Sequence, residues 1–501
     1  RMRDIRDSFG ADAILPFSYG GSNGLLTQDT NDAALFRAFG TSRLARTVCA
    51  APTGAANLGL YGKMPGVTYA DYPHARLIVL WGVNPAASGI HLIPYVREAR
   101  KAGAKLVVID PRTTSLAKQA DIHLAPQPGT DLPLALAIHN YLFVHGHADE
   151  QFLREHTRGA EDLRTRAAEW SIERAADVCG IDSAALQSMA ELYAHTSPAL
   201  VRCGWGLERN RNGGSAAAAI LALPAVGGKF GVRGGGFSMS NSGSWGIKAA
   251  AWMDDTPEPQ TRVVNMNHLG RALLDYNDPP IKMLFVYNCN PVATMPDQNR
   301  VVEGLRREDL FTVVFEQVFT DTARYADVIL PATTFLENYD IAKGYGPISL
   351  QLVRPVIEPV GEARANPEVF SDLASRLGIG EAEEETDTLL RVASRIPPAI
   401  AADLMELGSA RPPYGGAPVQ FVDVFPLTPD SKVDLYPAAL ASQGLYVFRP
   451  DPATDRYPLA LISPASEKTI SSTMGELRER AAVLQMHPSD AEVRGIGQDD
   501  P

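Results

Sequence analysis

The sequence predicts an α/β protein built on two related parallel-sheet units, and three observations carry that expectation. Short apolar runs alternate with amphipathic helical stretches, the order of β-α-β units. One such block recurs later in the chain at a constant offset. Both copies end their strands in polar turns marked by proline or glycine, where open parallel sheets receive ligands.

Taken in order, Ala13-Ile14-Leu15-Pro16-Phe17-Ser18-Tyr19 reads as a strand running into Gly20-Gly21-Ser22-Asn23-Gly24. Arg76-Leu77-Ile78-Val79-Leu80-Trp81 is a continuous apolar run stopped by Gly82, as buried parallel strands are. A helix from about Ile90 to Ala102, closed by Gly103, separates it from the strand Lys105-Leu106-Val107-Val108-Ile109-Asp110. The second block repeats this grammar with Met283-Leu284-Phe285-Val286-Tyr287, then Asn288-Cys289-Asn290-Pro291, a helical stretch, and Phe311-Thr312-Val313-Val314-Phe315-Glu316.

The two blocks align without a gap. Asn84-Pro85 matches Asn290-Pro291, Val107–Asp110 matches Val313–Glu316, and Ala120–Leu124 matches Ala326–Leu330, all at an offset of 206. A repeat this long implies two similar α/β units, since solenoid repeats are shorter and more numerous. Asp110 and Glu316 end equivalent strands, where an acid suits ribose hydroxyls or the paired N–H donors of guanine. Polar stretches follow in each copy: Asp110-Pro111-Arg112-Thr113-Thr114, and Thr320-Asp321-Thr322. Gly129-Thr130-Asp131 opens a helix, with Thr130 or Asp131 as its N-cap or facing a ligand. Each turn alone is ordinary; as a duplicated set they point to two related nucleotides, or one ligand with two similar halves. Gly82-Val83-Asn84-Pro85 is not a G-x-G-x-x-G turn, which argues against a simple NAD site.

Between the copies lies a glycine-rich stretch. Gly204-Trp205-Gly206-Leu207-Glu208-Arg209-Asn210-Arg211-Asn212-Gly213-Gly214 leads into a helix read as Ser215 to Val226. Backbone N–H groups at a helix start, beside Arg209 and Arg211, suit an anion. Gly227 to Gly236 is a weaker version, or merely closes that helix. Glu383 to Thr386 reads as a solvated acidic patch, and Arg449 to Pro458 as a linker before a strand at Leu459–Pro464.

Totals bound the function. A chain of 501 residues, 45% apolar and 21% charged, is expected to form three or four domains. A net charge of −12 disfavours nucleic acid as partner. The four cysteines (Cys49, Cys179, Cys203, Cys289) form no C-x-x-C pair, so neither a disulfide framework nor a self-contained zinc or iron–sulfur site is indicated. No apolar run reaches spanning length, so no membrane insertion is expected. The cytoplasm is the expected location, with the periplasm open because the sequence begins at Arg1.

These motifs together resemble the dimethyl sulfoxide reductase superfamily of molybdopterin oxidoreductases. The stretches that carry the resemblance are Ala13–Gly24, Trp81–Pro85, Val108–Arg112, Pro128–Asp131, Gly204–Gly214, Asn288–Pro291, Ala326–Pro331 and Ser463-Pro464, in the family's order. The resemblance implies molybdenum or tungsten held by two pterin guanine dinucleotides, a small-molecule substrate, and an electron-transfer subunit or carrier as partner. It implies that residues 1–70 and 270–445 form one cofactor-binding unit and 71–269 the other, interleaved. Residues 456–501 would begin a β-barrel-like C-terminal domain contributing Ser463 and Ser466, and an N-terminal [4Fe–4S] domain would lie outside this sequence. The implied cofactor contacts are Gly82, Asn84, Pro85, Asp110, Arg112, Gly129, Thr130, Asp131, Gly204, Trp205, Gly206, Arg209, Asn288, Asn290, Glu316, Thr320 and Asp321.

Cys49, in Arg46-Thr47-Val48-Cys49-Ala50-Ala51-Pro52-Thr53-Gly54, occupies the region where the family places its protein ligand to the metal. Thiolate suits molybdenum or tungsten beside dithiolene sulfurs. Similar formate dehydrogenases carry His next; Ala50 stands here, so a proton acceptor is missing and His91 is no assumed replacement. Cys203 and Cys289 read as packing residues. Two alternatives stay open: a non-redox member resembling acetylene hydratase, and a nucleotide-binding module without metal.

Overall fold

The computed structural model describes residues 1–20, 24–245, 258–451, 457–465, 472, 475 and 483–500. Two parallel sheets organise it. One has five strands, in the order Ile122–Leu124, Lys105–Ile109, Leu77–Trp81, Ala199–Cys203 and Gly236–Ser238. The other has four: Val328–Pro331, Phe311–Glu316, Met283–Tyr287 and Ile14–Ser18. The repeated blocks supply three adjacent strands to each. The next strand comes from a different place in each case, Ala199–Cys203 after the first block and Ile14–Ser18 long before the second.

Alternation along each strand sends side chains to opposite faces, and both faces are buried. Leu77, Val79 and Trp81 pack on helices Asp131–Val144 and Gly213–Val226, whereas Ile78 and Leu80 pack on helix Ile93–Lys101. Helix Gly213–Val226 is apolar all round because it lies in the middle of that layer, against Asp131–Val144 and Ala51–Tyr61. In the four-stranded unit, Leu284 and Val286 face helices Leu269–Asp275 and Gln298–Leu305. Met283, Phe285 and Tyr287 face Asn31–Phe39 and Asn366–Leu377.

The cores cross between units at points other than residues 70 and 270. Helix Ala51–Tyr61 buries Ala56, Leu60 and Tyr61 in the five-stranded unit's core, where Val433, Leu435 and Tyr446 join them. Val264, Met266 and Leu269 belong to the other core, tied there by pairing of Val263–Asn265 with Arg43–Ala45. Sequence pattern marks helices and strands but not which of two similar cores receives them.

Four local expectations need correction. The helix after Leu77–Trp81 is a 3-10 turn, Ile90–Leu92, followed by Ile93–Lys101. The glycine-rich helix starts two residues early, at Gly213. Glu383 is not a solvated acid; it accepts from Arg391, Thr388 and Asn31. Residues 457–465 form no strand, having no neighbouring strand to pair with. No helix among the described residues is long and apolar enough to cross a membrane.

Candidate functional site

Strand ends of both sheets carry the repeated turns. After Leu77–Trp81 the chain turns through Gly82 at φ 60, and after Met283–Tyr287 through Asn288 at φ 56, the same left-handed step 206 residues on. Glycine is required at 82 and 204 for a further reason. A Cβ on Gly204 would stand 2.2 Å from the Gly82 carbonyl oxygen, and one on Gly82 would press Leu207. The Gly204 and Gly206 N–H groups donate to the carbonyls of Trp81 and Gly82 at 2.8 and 2.9 Å. These glycines therefore lock two neighbouring strand ends together.

Asn84 and Pro85 begin the short helix Pro85–Ser88. The Asn84 Oδ1 is buried and has no hydrogen-bond partner. It lines a cleft of about 460 Å³ with Arg112, Thr113, Thr114, Ser115, Lys118 and Gln119. At the cleft's strand end, Asp110 Oδ1 accepts from the Arg112 N–H at 2.8 Å, and burial raises this carboxyl above its ordinary pKa. The cationic rim of Arg112 and Lys118 suits an anionic group, and the unpartnered amide oxygen calls for a hydrogen-bond donor.

The second copy holds its residues differently. Asn290 Oδ1 accepts from the Thr322 hydroxyl at 2.7 Å. Asn288 donates to the Thr27 carbonyl and accepts from Asn366. Glu316 Oε1 accepts from the Gln317 N–H, and Thr320 accepts from the Ala323 N–H. Asp321 lies 3.8 Å from Arg324 on the surface. Beside these strand ends, Ser18, Asp29, Asp32, Arg46 and Tyr287 line a cavity of about 150 Å³.

Two cap assignments differ from expectation. Thr130 occupies the N-cap of Asp131–Val144, but its hydroxyl donates to the Gln127 carbonyl at 2.7 Å and caps nothing. Asp131 accepts from the Trp81 indole N–H at 2.8 Å, and burial pushes its carboxyl up to about 6. Gly129, at φ 91, accepts from the Asn212 amide, whose other contacts reach Arg449. Arg209 does not turn to the helix start at Gly213; it donates to the Val48 carbonyl at 2.5 Å. Gly227 closes that helix, as its weaker reading had it. Ser463 is exposed, and Ser466 lies outside the described residues. His91 is exposed on its 3-10 turn.

Cys49 stands where the two units meet. Tyr19, one residue past strand Ile14–Ser18, accepts the Cys49 N–H at 2.9 Å and its hydroxyl lies 3.3 Å from the Cys49 carbonyl. From the other unit, Arg209 holds the carbonyl of Val48. Burial first, and then the neighbouring Cys49, push the Tyr19 hydroxyl up to about 12. Ala50 follows at φ 53, and helix Ala51–Tyr61 starts at once, its N-terminus directed at the Cys49 segment. Glu208 accepts the Thr53 N–H at 2.9 Å and also the Thr53 hydroxyl, so the five-stranded unit, whose core this helix joins, also caps it. Burial raises the Glu208 carboxyl. Of the other thiols, Cys179 and Cys203 are buried and Cys289 is half-buried; burial pushes Cys179 up to about 11 and Cys203 up to about 12, and raises Cys289 as well.

Tyr19, Glu208, Arg202 and Tyr345 escape a sequence reading. Tyr345 sits at the tip of the hairpin Asp340–Lys343/Leu350–Val353, whose tip is held by Asn241 of the five-stranded unit. Its ring meets Trp205 edge-on at 5.1 Å. A signal existed for Arg202: Ala199–Cys203 precedes a glycine-rich loop and a helix, as Ile14–Ser18 does. Among the described residues no three His, Cys, Asp or Glu side chains converge as a metal site. A metal at Cys49 would take most of its ligands from a cofactor.

Comparison with known proteins agrees with this architecture. Residues 19–376 match the family model "Molybdopterin oxidoreductase". The chain is 38% identical over 393 residues to "Probable oxidoreductase YoaE" of Bacillus subtilis, covering 78% of this chain and 58% of that one. It is 30% identical to "Trimethylamine-N-oxide reductase" of Haemophilus influenzae, over 62% of this chain and 43% of that one. Among solved structures, "Acetylene Hydratase from Pelobacter acetylenicus" superposes with a TM-score of 0.74 at 21% identity, covering 90% of this chain and 67% of that one. The chain thus spans less than two thirds of the length of these curated relatives.

Proposed function

Since the chain belongs to the molybdopterin oxidoreductase family, we propose that it is the cofactor-holding core of a molybdenum or tungsten oxidoreductase, with Cys49 as the protein's ligand to the metal. The cofactor in this reading is a pair of pterin guanine dinucleotides, one for each copy of the repeat. The observation that carries it is the position of Cys49 at the junction, its flanking backbone held by Tyr19 of one unit and Arg209 of the other. A pair of units joined around one residue suits a ligand with two similar halves.

The residues present fit such a group. Gly82, Gly204 and Gly206 bring backbone close at the strand ends, and Asn84, whose Oδ1 is buried and unpartnered, is among the residues that line the cleft. When bound, the cofactor supplies two-electron exchange with a small substrate. The chain's own part is positional and electrostatic. The N-terminus of helix Ala51–Tyr61 follows directly on the Cys49 segment. Glu208 fixes the start of that helix within the five-stranded unit, while Tyr19 of the four-stranded unit holds the Cys49 N–H, so the thiol's place depends on both units. An electron-transfer subunit or carrier would complete the enzyme.

Cys49→Ala in the full-length protein is expected to preserve folding, abolish turnover and remove one sulfur from the metal's X-ray absorption shell. Cys49→Ser should keep more metal than activity. Full activity with an unchanged sulfur shell in Cys49→Ala would overturn the assignment.

A hydratase-like, non-redox reaction is the second reading. It is favoured by the acetylene hydratase fold likeness, whereas Ala50, which leaves no proton acceptor directly after Cys49, counts against formate as the substrate. Reduction of a redox dye by the holoenzyme, with or without substrate, separates the two.

A further inference from the structure

Arg202 is a buried cation with no ion-pair partner among the described residues. It lies in strand Ala199–Cys203, one residue before the strand's carboxyl end, and is 4% exposed. Its Nε and Nη1 are buried with no hydrogen-bond partner. The groups nearest its charge are the hydroxyls of Tyr72, Tyr345 and Tyr69 and the Cys203 thiol. The guanidinium carbon stands 5.9 Å from the centroid of the Tyr345 ring. A cation–π contact of this kind offsets only part of the desolvation of a guanidinium. Folded proteins rarely keep such a group unless something else satisfies it.

The surroundings say what that something is. The Trp205 indole N–H is also buried and unpartnered, and its ring packs on Tyr345. Burial holds the Tyr72 hydroxyl up at about 12. Arg202 and the Trp205 indole thus offer donors alone, while the unpartnered Tyr72 hydroxyl can donate or accept. Tyr345, 40% exposed, feels the charges of both Arg202 and Cys49, which puts this donor cluster on the Cys49 side of the junction.

We propose that Arg202, with the Trp205 indole N–H, binds an anionic oxygen-bearing group, and that this group belongs to a small oxyanion or carboxylate substrate of the site at Cys49. Guanidinium matches planar and tetrahedral oxyanions in shape as well as charge. The substrate assignment rests on the reading of Cys49 given above; the anion site does not. A phosphate of the cofactor has the same chemistry and is the other source.

Thermal unfolding of the full-length protein as isolated tests this, with nitrate, sulfate and pyrophosphate as probes at ionic strength matched by chloride. At saturating nitrate or sulfate, wild type should gain about 2–4 °C. Arg202→Met should lose this gain while melting at or above the wild-type temperature without added anion, because a desolvated charge has gone and its length is kept. Arg202→Lys should bind about tenfold more weakly. A response confined to pyrophosphate, with pterin content falling in Arg202→Met, would assign the group to the cofactor and end the substrate claim. Arg202→Met that melts lower yet keeps the wild-type anion response, or a wild type that responds to none of the three probes, would overturn the anion site altogether. Cys49→Ala should keep the response, so failure of the metal-ligand reading is told apart from failure here.

Discussion

The two copies of the repeat share a scaffold and differ in what they offer a ligand. Backbone geometry is nearly the same in both. Asn84 and Asn290 have φ, ψ of −115°, 87° and −118°, 80°. Asp121 accepts the Leu106 N–H at 2.9 Å, and Asp327 the Thr312 N–H at 2.7 Å. Thr114 and Thr320 each accept from the residue three further on at 3.2 Å. Yet Asn290 is locked to Thr322, whereas Leu116 stands at that place in the first copy and leaves Asn84 Oδ1 unpartnered. Arg112, Thr113, Ser115 and Lys118 correspond to Val318, Phe319, Asp321 and Arg324. Phe319 is 62% exposed. Residues that make the turn are kept and those that face outward diverge, so the first copy keeps the more cationic rim while the second exposes Phe319.

The largest expected effect tests where the likeness stops. At the same offset, Asp131 corresponds to Glu337, but Asp131 begins a helix and Glu337 sits in a turn. Burial raises Asp131 to about 6, while hydrogen bonds from Thr334 lower Glu337. A folded-state pKa above the unfolded value means that Asp131's contribution to stability is present at low pH and is lost as pH rises from about 4 to about 6. Glu337 works oppositely, with its contribution lost as pH falls through its lowered pKa. Asp131→Asn keeps an acceptor for Trp81 and should stabilise the fold at pH 7.5 by at most about 3 kcal/mol. Denaturant midpoints across pH 4–8 check this; a variant no more stable than wild type at pH 7.5 would refute it.

A somewhat smaller effect asks whether both strand-end acids serve the cofactor. Asp110→Ala in the intact protein is expected to weaken cofactor retention about ten- to hundredfold, corresponding to roughly 1.5–3 kcal/mol. Glu316→Ala should match it if the copies act equivalently. A loss restricted to Asp110→Ala would make the division of labour between copies sharper, and unchanged retention in both would remove these acids from the site.

The smallest effect separates scaffold from ligand contact. Asn290→Ala breaks the Thr322 link and should cost about 1–2 kcal/mol of stability. Asn84→Ala deletes an acceptor that has no partner, so the cofactor-free fold should change by about 0.5 kcal/mol or less. Equal destabilisation of the two variants, measured by urea unfolding, would break the comparison.

Much of the architecture was legible because it is local. Three matched pieces at one offset announce the repeat, and the structure carries that likeness into unread detail, such as Gly82 against Asn288. The site was less legible. Arg202 looks like any charged residue in a short apolar run, and Glu208 like a loop acid. Their roles depend on partners far away in sequence: Glu208 on Thr53, and Arg202 on Tyr345. The acid Glu383 likewise finds Asn31 more than 350 residues away.

By itself, then, the sequence determined the alternation of strands and helices, the duplicated turns, the family and the candidacy of Cys49. Each depends on residues close together in the chain or on a pattern repeated along it. Only the tertiary structure decided which core takes helix Ala51–Tyr61, which unit caps it, and which polar groups are left without partners. Those outcomes depend on contacts between residues brought together by folding, where hydrogen-bond satisfaction is settled by neighbours in space: Thr322 satisfies Asn290, and Leu116, at the same point of the fold, has nothing to offer Asn84.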